Sequence, residues 1–228
     1  MVEGFVPAKS FQTKEEYIYQ SLREAILQCK IQPEEKLVID HLASTFGVST
    51  IPIRTVLQRL QIEGLVEIIP HTGAQVAGIS LNTVEEIFSI LGAFESIAYP
   101  AAARKITKTE IAELELLLDS MDEAVMRQDA NEWSQLNRRF HIRIAEISQM
   151  NLLTDFTKRI FDQWERIRIY YLKDVLSQRL GYAQQEHRKI FELLKKQDGE
   201  ALVAHAVSHN QTAMESYQNW INSHLKEK

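Results

Sequence analysis

Apolar residues follow two different rhythms along this chain. Over residues 13–78, short helical stripes give way to a stretch of rough alternation; from Asn82 onward the spacing is helical throughout. The first stripe, over residues 13–29, carries Tyr17, Leu22 and Ile26, with Glu15 and Glu16 in the opening turn, where carboxylates complement the helix dipole. Ile31-Gln32-Pro33 ends it, because proline cannot continue a helix and restricts the residue before it. A short helix is predicted from Asp40 to Phe46, then a turn at Gly47, then a longer helix with Ser49 as its N-cap and Pro52 in its first turn. Ile53, Val56, Leu57 and Leu60 form the buried stripe of that helix, and Gly64 closes it. Leu65 to Ile69 and Ala74 to Ala77 alternate as strands around a turn at Pro70-His71-Thr72-Gly73.

Short helix, turn, amphipathic helix and hairpin together predict a winged helix-turn-helix over residues 13–78, preceded by a loose tail at 1–12. Beyond it the spacing predicts helices at about 83–105, 108–128, 130–149, 151–176, 178–197 and 199–222. Asn82 before Glu85, Thr107 before Glu110 and Asp129 before Glu132 stand at capping-box spacing, and Asn151 and Gly199 fall at joins. The expected fold is therefore mainly α: a winged helix-turn-helix with a small β-hairpin, then an all-α bundle of six or seven helices over residues 82–222.

Composition narrows the setting. The chain has 228 residues, 45% of them hydrophobic and 25% charged, which is ordinary for a globular protein. No apolar run is long enough to span a membrane, the N-terminus lacks the apolar core of a signal peptide, and the lone Cys29 has no partner for a disulfide; a cytoplasmic setting is expected. Charge cuts against the helix-turn-helix. Net charge is −5, and the first 78 residues hold 7 Lys/Arg against 9 Asp/Glu. Affinity for DNA comes largely from neutralising phosphates, so a reader this acidic must place its few cations well or double them by dimerising.

In a helix-turn-helix the first residues of the second helix meet base edges in the major groove. Here these are Ser49, Thr50, Arg54 and Thr55, with Gln58 a turn further on; Arg54 has the fork that guanine O6 and N7 accept. His71, Thr72 and Gly73 at the wing tip are placed for the minor groove or its phosphates. Leu42-Ala43, Gly47-Val48-Ser49, Pro52, Arg54, Leu57, Leu60 and Gly64-Leu65-Val66 form a gap-free pattern that resembles the GntR family of bacterial transcription regulators. The pattern departs from the family at Thr50, where arginine is common, and at Asp40, where a basic residue is common. Both departures fall on the DNA side.

The helical half carries candidate metal chemistry. Asn137 and His141 lie four apart and so share a helix face, while His187 and His209 lie mid-helix further on. Imidazoles from three helices can meet inside a bundle and hold a divalent ion, although by spacing alone helical histidines are more often surface or hydrogen-bonded core residues. This half is similar to the helical effector domain of the FadR subfamily, the FCD domain, in which an Asp or Asn followed four residues later by His, plus two later histidines, binds metal; Asn137, His141, His187 and His209 match in order. The resemblance implies Zn²⁺ or Ni²⁺ on three imidazoles and a neutral amide, with open positions that favour a carboxylate. It also implies an arginine four residues before Glu95, where this chain has Leu91; Arg143, Arg166 and Arg168 are the candidates to replace it.

The function expected is that of a metabolite-responsive regulator. An organic acid enters at the metal and shifts a homodimer between geometries that do or do not fit a palindromic duplex operator. Two rivals are an effector-binding protein whose sequence-specific DNA binding has decayed, and a metal-dependent hydrolase. The second lacks an HExxH and any carboxylate clearly placed as a general base beside the histidines.

Overall fold

A computed structural model describes residues 13–69, 73–171 and 173–224, with backbone alone at 171, 173–178 and 224. It divides into two compact units, at Gly78 and Ile79. No helix among the described residues is long and apolar enough to cross a membrane.

The first unit runs α1 (Lys14–Leu27), β1 (Lys36–Leu37), α2 (Ile39–Phe46), α3 (Thr50–Ile62), β2 (Val66–Ile69) and β3 (Gly73–Val76). Thr13 caps α1 by accepting from the Glu16 N–H at 3.1 Å. Ile18, Leu22 and Ile26 of α1 close on Ile53, Val56, Leu57 and Leu60 of α3, all essentially sealed from solvent. Tyr17, assigned to the buried stripe by its spacing, is instead 58% exposed, and Ile18 and Tyr19 take the inner face. The sheet order is β1-β3-β2, antiparallel throughout, with Val66 opposite Val76 and Leu37 opposite Ala74. β1 was not legible in the pattern, because two residues are too few to alternate; pairing with β3 makes them a strand.

Gly47 ends α2 at φ 61, the left-handed region that side chains resist, and its position opens to free space. Gly47→Ala therefore meets no clash, only backbone strain. We expect a loss of about 1 kcal/mol, read as a lower urea midpoint with an unchanged slope.

The second unit runs α4 (Leu81–Ala103), α5 (Lys108–Met126), α6 (Ala130–Ile147), α7 (Asn151–Tyr171), α8 (Lys173–Lys196) and α9 (Gly199–His224). The cap of α4 is Ser80 rather than Asn82: Ser80 Oγ accepts from the Thr83 N–H at 3.1 Å, while Thr83 Oγ1 accepts from the Ser80 N–H at 3.3 Å. Asn82 thus lies inside the first turn. Thr107 and Glu110 form the reciprocal box at α5, and Asp129 caps α6 by accepting two N–H groups. The join of α7 and α8 falls earlier than the spacing predicts, since no Gly, Pro or capping box marks it in the sequence.

Two apolar clusters fill this unit. One holds Tyr99, Leu114, Leu118, Phe140, Ile144, Phe191 and Leu202; the other holds Val84, Phe88, Leu91, Phe161, Trp164 and Tyr217. α4 and α9 run against each other, and Gly92 of α4 leaves room for Asn210 of α9, whose Cβ stands 3.4 Å from where a side chain would begin.

Candidate functional site

Buried polar groups gather where the two clusters of the helical unit meet. α6 supplies Asn137 and His141, α8 supplies His187 and α9 supplies His209. All four are buried, and His187 is fully sealed. His141 Nε2 lies 3.0 Å from His187 Nε2 and 3.1 Å from Asn137 Oδ1. Nitrogens of His141, His187 and His209 all lie within 4.8 Å of one another. A small cavity of about 30 Å³ opens beside them, walled by Leu91, Trp133, Phe161, Trp164 and Tyr217 among others.

Carboxylates orient two of the rings from behind. Glu95 Oε1 stands 2.7 Å from His141 Nδ1, and the Tyr99 hydroxyl oxygen 2.5 Å from the same nitrogen. Glu186 Oε2 stands 3.0 Å from His209 Nδ1. Each carboxylate accepts the Nδ1 proton, which leaves Nε2 as the lone-pair nitrogen of its ring. Asn210 Nδ2 donates to the other oxygen of Glu95 at 2.6 Å. Burial pushes the Glu95 carboxyl up, but the charge and hydrogen bond of His141, with help from His209 and Asn210, outweigh it, so the group sits below the usual carboxylate range. Burial, and then Glu95, hold the Tyr99 phenol well above its ordinary range, so it stays protonated.

Burial, followed by the neighbouring His209 and His141, holds the His187 imidazole well below the usual histidine range. His209 is lowered too, by burial first, although Glu186 partly opposes this. Such rings are neutral at pH 7, the form that ligates metals. His187 Nδ1 finds no hydrogen-bond partner among the described residues. The donor set therefore fits a first-row divalent ion. Adjacent ligands bound at about 2.1 Å lie about 3.0–3.4 Å apart, a range that holds both spacings from His141 Nε2, to His187 and to Asn137.

The other expected residues separate. Arg143 lies outside the cavity, on the surface, where Glu113 accepts from it at 2.7 Å and Glu110 at 3.4 Å. Arg166 and Arg168 are buried, but neither lines the cavity. Arg168 is held by Glu165 and by Asn131 Oδ1 at 3.1 Å. The arginine that does line the cavity is Arg179, which sequence reasoning missed along with Glu95, Tyr99, Glu186 and Asn210. A usable signal was Glu95 itself, a lone acid within the apolar run ILGAFESIAYPAAA. A carboxylate there needs a buried partner.

In the first unit, Ser49, Arg54 and Gln58 are exposed along α3, and Thr50 and Thr55 are half-buried. Ser49 makes no capping hydrogen bond, so its hydroxyl and the first N–H groups of α3 are not spent on each other. Arg59, the other cation of α3, is consumed inside the unit: it pairs with Glu16 at 2.9 Å and lies 3.7 Å over the Tyr19 ring. Ile51 is 74% exposed at the start of the helix, an apolar contact that sequence reasoning passed over. Gly73 opens β3, exposed at φ 117; His71 and Thr72 lie outside the described residues.

Residues 14–76 match the bacterial regulatory protein gntR family, and residues 86–212 match the FCD domain. The chain belongs to the GntR family of bacterial regulatory proteins. It is 29% identical over 199 residues to the HTH-type transcriptional repressor RspR of Escherichia coli, covering 87% of this chain and 86% of RspR. To the uncharacterized HTH-type transcriptional regulator YdhC of Bacillus subtilis it is 28% identical over 192 residues, covering 84% and 85%. The solved structure of E. coli McbR/YncC superposes with a TM-score of 0.73 at 21% identity, over 91% of this chain and 99% of that one. A GntR regulator from Rhodococcus sp. RHA1 gives 0.69 at 18% identity, over 93% and 99%. These two likenesses establish the fold. The family and the relatives are transcriptional regulators, so the hydrolase reading falls.

Proposed function

We propose that this GntR regulator senses a small organic acid at a metal held by Asn137, His141, His187 and His209. Zn²⁺ or Ni²⁺ suits the imidazoles. The observation that carries the reading is the convergence on His141 Nε2 of His187 Nε2 at 3.0 Å and Asn137 Oδ1 at 3.1 Å, with a His209 nitrogen within 4.8 Å and with Glu95 and Glu186 fixing two rings from behind. When bound, the ion supplies a positive centre for an acid's oxygens. Every protein ligand is neutral, so only the carboxylates behind the rings offset the ion's charge before the effector arrives. Trp133, Phe161 and Trp164 exclude water, which strengthens that attraction.

The output is operator binding by α3. Arg54 meets guanine or phosphate, Gln58, Thr50 and Thr55 meet bases beside it, and Ser49 with the helix N-terminus takes a phosphate. Exposed Ile51 suits a thymine methyl group. Gly73 brings the wing's backbone close to the DNA, where the sequence also expects His71 and Thr72 to make contact. A homodimer doubles these few cations and reads an inverted repeat. Selection from random duplex DNA by the full-length protein is the test. An inverted repeat with half-sites about 10 bp apart is expected; a selected pool with no shared sequence contradicts it.

The acidic balance of the first 78 residues, with 9 Asp/Glu and 7 Lys/Arg, favours one other reading, in which the effector domain persists and sequence-specific DNA binding has decayed. An enriched repeat in the same selection rejects that reading.

A further inference from the structure

We infer that Arg179 of α8 is the group that grips the effector's carboxylate, in place of the arginine that Leu91 lacks. This deepens the proposed effector site and rests on it. Arg179 lines the histidine cavity, and its guanidinium is nearly sealed, with 12% of the side chain exposed. A guanidinium has five N–H donors in a rigid fork. Glu186 Oε2 accepts from Nη2 at 2.8 Å, but that same oxygen also serves His209 Nδ1 at 3.0 Å. Nε of Arg179 has no hydrogen-bond partner among the described residues. A buried cation with a donor unspent, at the edge of a cavity, is a site missing an acceptor.

Charge balance says which acceptor. Around the cavity, the carboxylates of Glu95 and Glu186 stand against a single guanidinium, that of Arg179, and the three imidazoles. Imidazoles that ligate a metal are neutral, so the protein groups of the loaded site carry a surplus of one negative charge. A divalent ion turns it into one positive charge, which a single carboxylate cancels. The ligand class is therefore a compact monocarboxylate, since a cavity of about 30 Å³ holds little more than one water before its walls move. Its carboxylate lies against Arg179 and the metal, and its apolar part against Leu91, Phe161 and Trp164.

The test uses the full-length protein, loaded with zinc, as wild type, Arg179→Gln and Arg179→Lys. Acetate, glycolate and lactate are titrated beside acetamide, which has the shape of acetate without its charge. Binding is followed by the fluorescence of Trp133 and Trp164, and zinc content is measured in parallel. At least one carboxylate is expected to bind wild type while acetamide does not. Arg179→Gln should weaken it by about tenfold or more with zinc unchanged, the loss expected for a hydrogen-bonded charge. Arg179→Lys, which keeps the charge and loses the fork, should fall between. Equal affinity in Arg179→Gln, acetamide binding as tightly as acetate, or no carboxylate binding to zinc-loaded wild type overturns the inference and leaves the metal reading standing. Loss of zinc from Arg179→Gln also overturns it, by showing that Arg179 acts through Glu186 on His209. Failure of wild type to take up zinc removes the ground from both.

Discussion

Alanine at position 187 is expected to empty the histidine centre. His187 is the only ligand from α8, is fully sealed, and shares the space before its Nε2 with His141 at 3.0 Å. Removing it leaves two imidazoles and an amide, too few to hold a first-row ion against dialysis. Losing a partner that merely supports a ligand costs about 10–100-fold in metal affinity, and losing the ligand should cost more. The same change removes the stabilisation that metal gives. Wild type with zinc at a hundred times its dissociation constant gains about 2.7 kcal/mol, which raises the melting transition by roughly 5–10 °C. The His187→Ala transition should not move with zinc. A cavity penalty accompanies any truncation at a sealed position, so His187→Gln, which fills more of the space, serves as the paired variant. Both are expected to lose metal while keeping their helical circular dichroism. Full zinc retention by either would defeat the site as drawn.

The second large effect is expected at the DNA. α3 carries two cations, and Arg59 is held by Glu16 and Tyr19. Arg54 alone is left on the exposed face. Its loss should cost about 1–3 kcal/mol per half-site, hence about 2–6 kcal/mol for a dimer on a full operator, or roughly 30-fold to 10⁴-fold in affinity. If Arg54 reads a guanine, Arg54→Ala also relaxes preference at that base; if it holds a phosphate, affinity falls evenly across sequences and the salt slope drops by about 1 per site. Arg59→Ala should instead cost stability with little change in operator affinity, because its charge is already spent. An unchanged binding midpoint for Arg54→Ala in fluorescence polarisation would sink its role.

Sequence patterning reached the architecture because helices announce themselves locally. The stripe of Ile53, Val56, Leu57 and Leu60, the Gly47 turn and the Thr107–Glu110 box are each settled within a few residues, and the structure places them as spacing predicts. Asn137 and His141 were legible for the same reason, being one turn apart on α6. The partners that complete the site were not. Glu95 and His141 are brought together from α4 and α6, and Arg179 and His209 meet through Glu186 across α8 and α9. No local rhythm encodes those pairings. The cap of α4 was misplaced for a subtler reason. Asn82 and Glu85 satisfy the capping pattern as letters, yet Ser80 and Thr83 satisfy it as geometry. Arg166 and Arg168 illustrate the limit from the other side: no pattern of letters marks them as buried, and it is ion pairing within α7, as between Arg168 and Glu165, that offsets the cost of burying such a charge.

The most direct measurement is the metal content of wild-type protein purified without an affinity tag, dialysed against metal-free buffer and assayed by mass spectrometry. About one zinc or nickel per chain is predicted, the number a single three-imidazole site holds. A content near zero that zinc cannot restore would contradict the account.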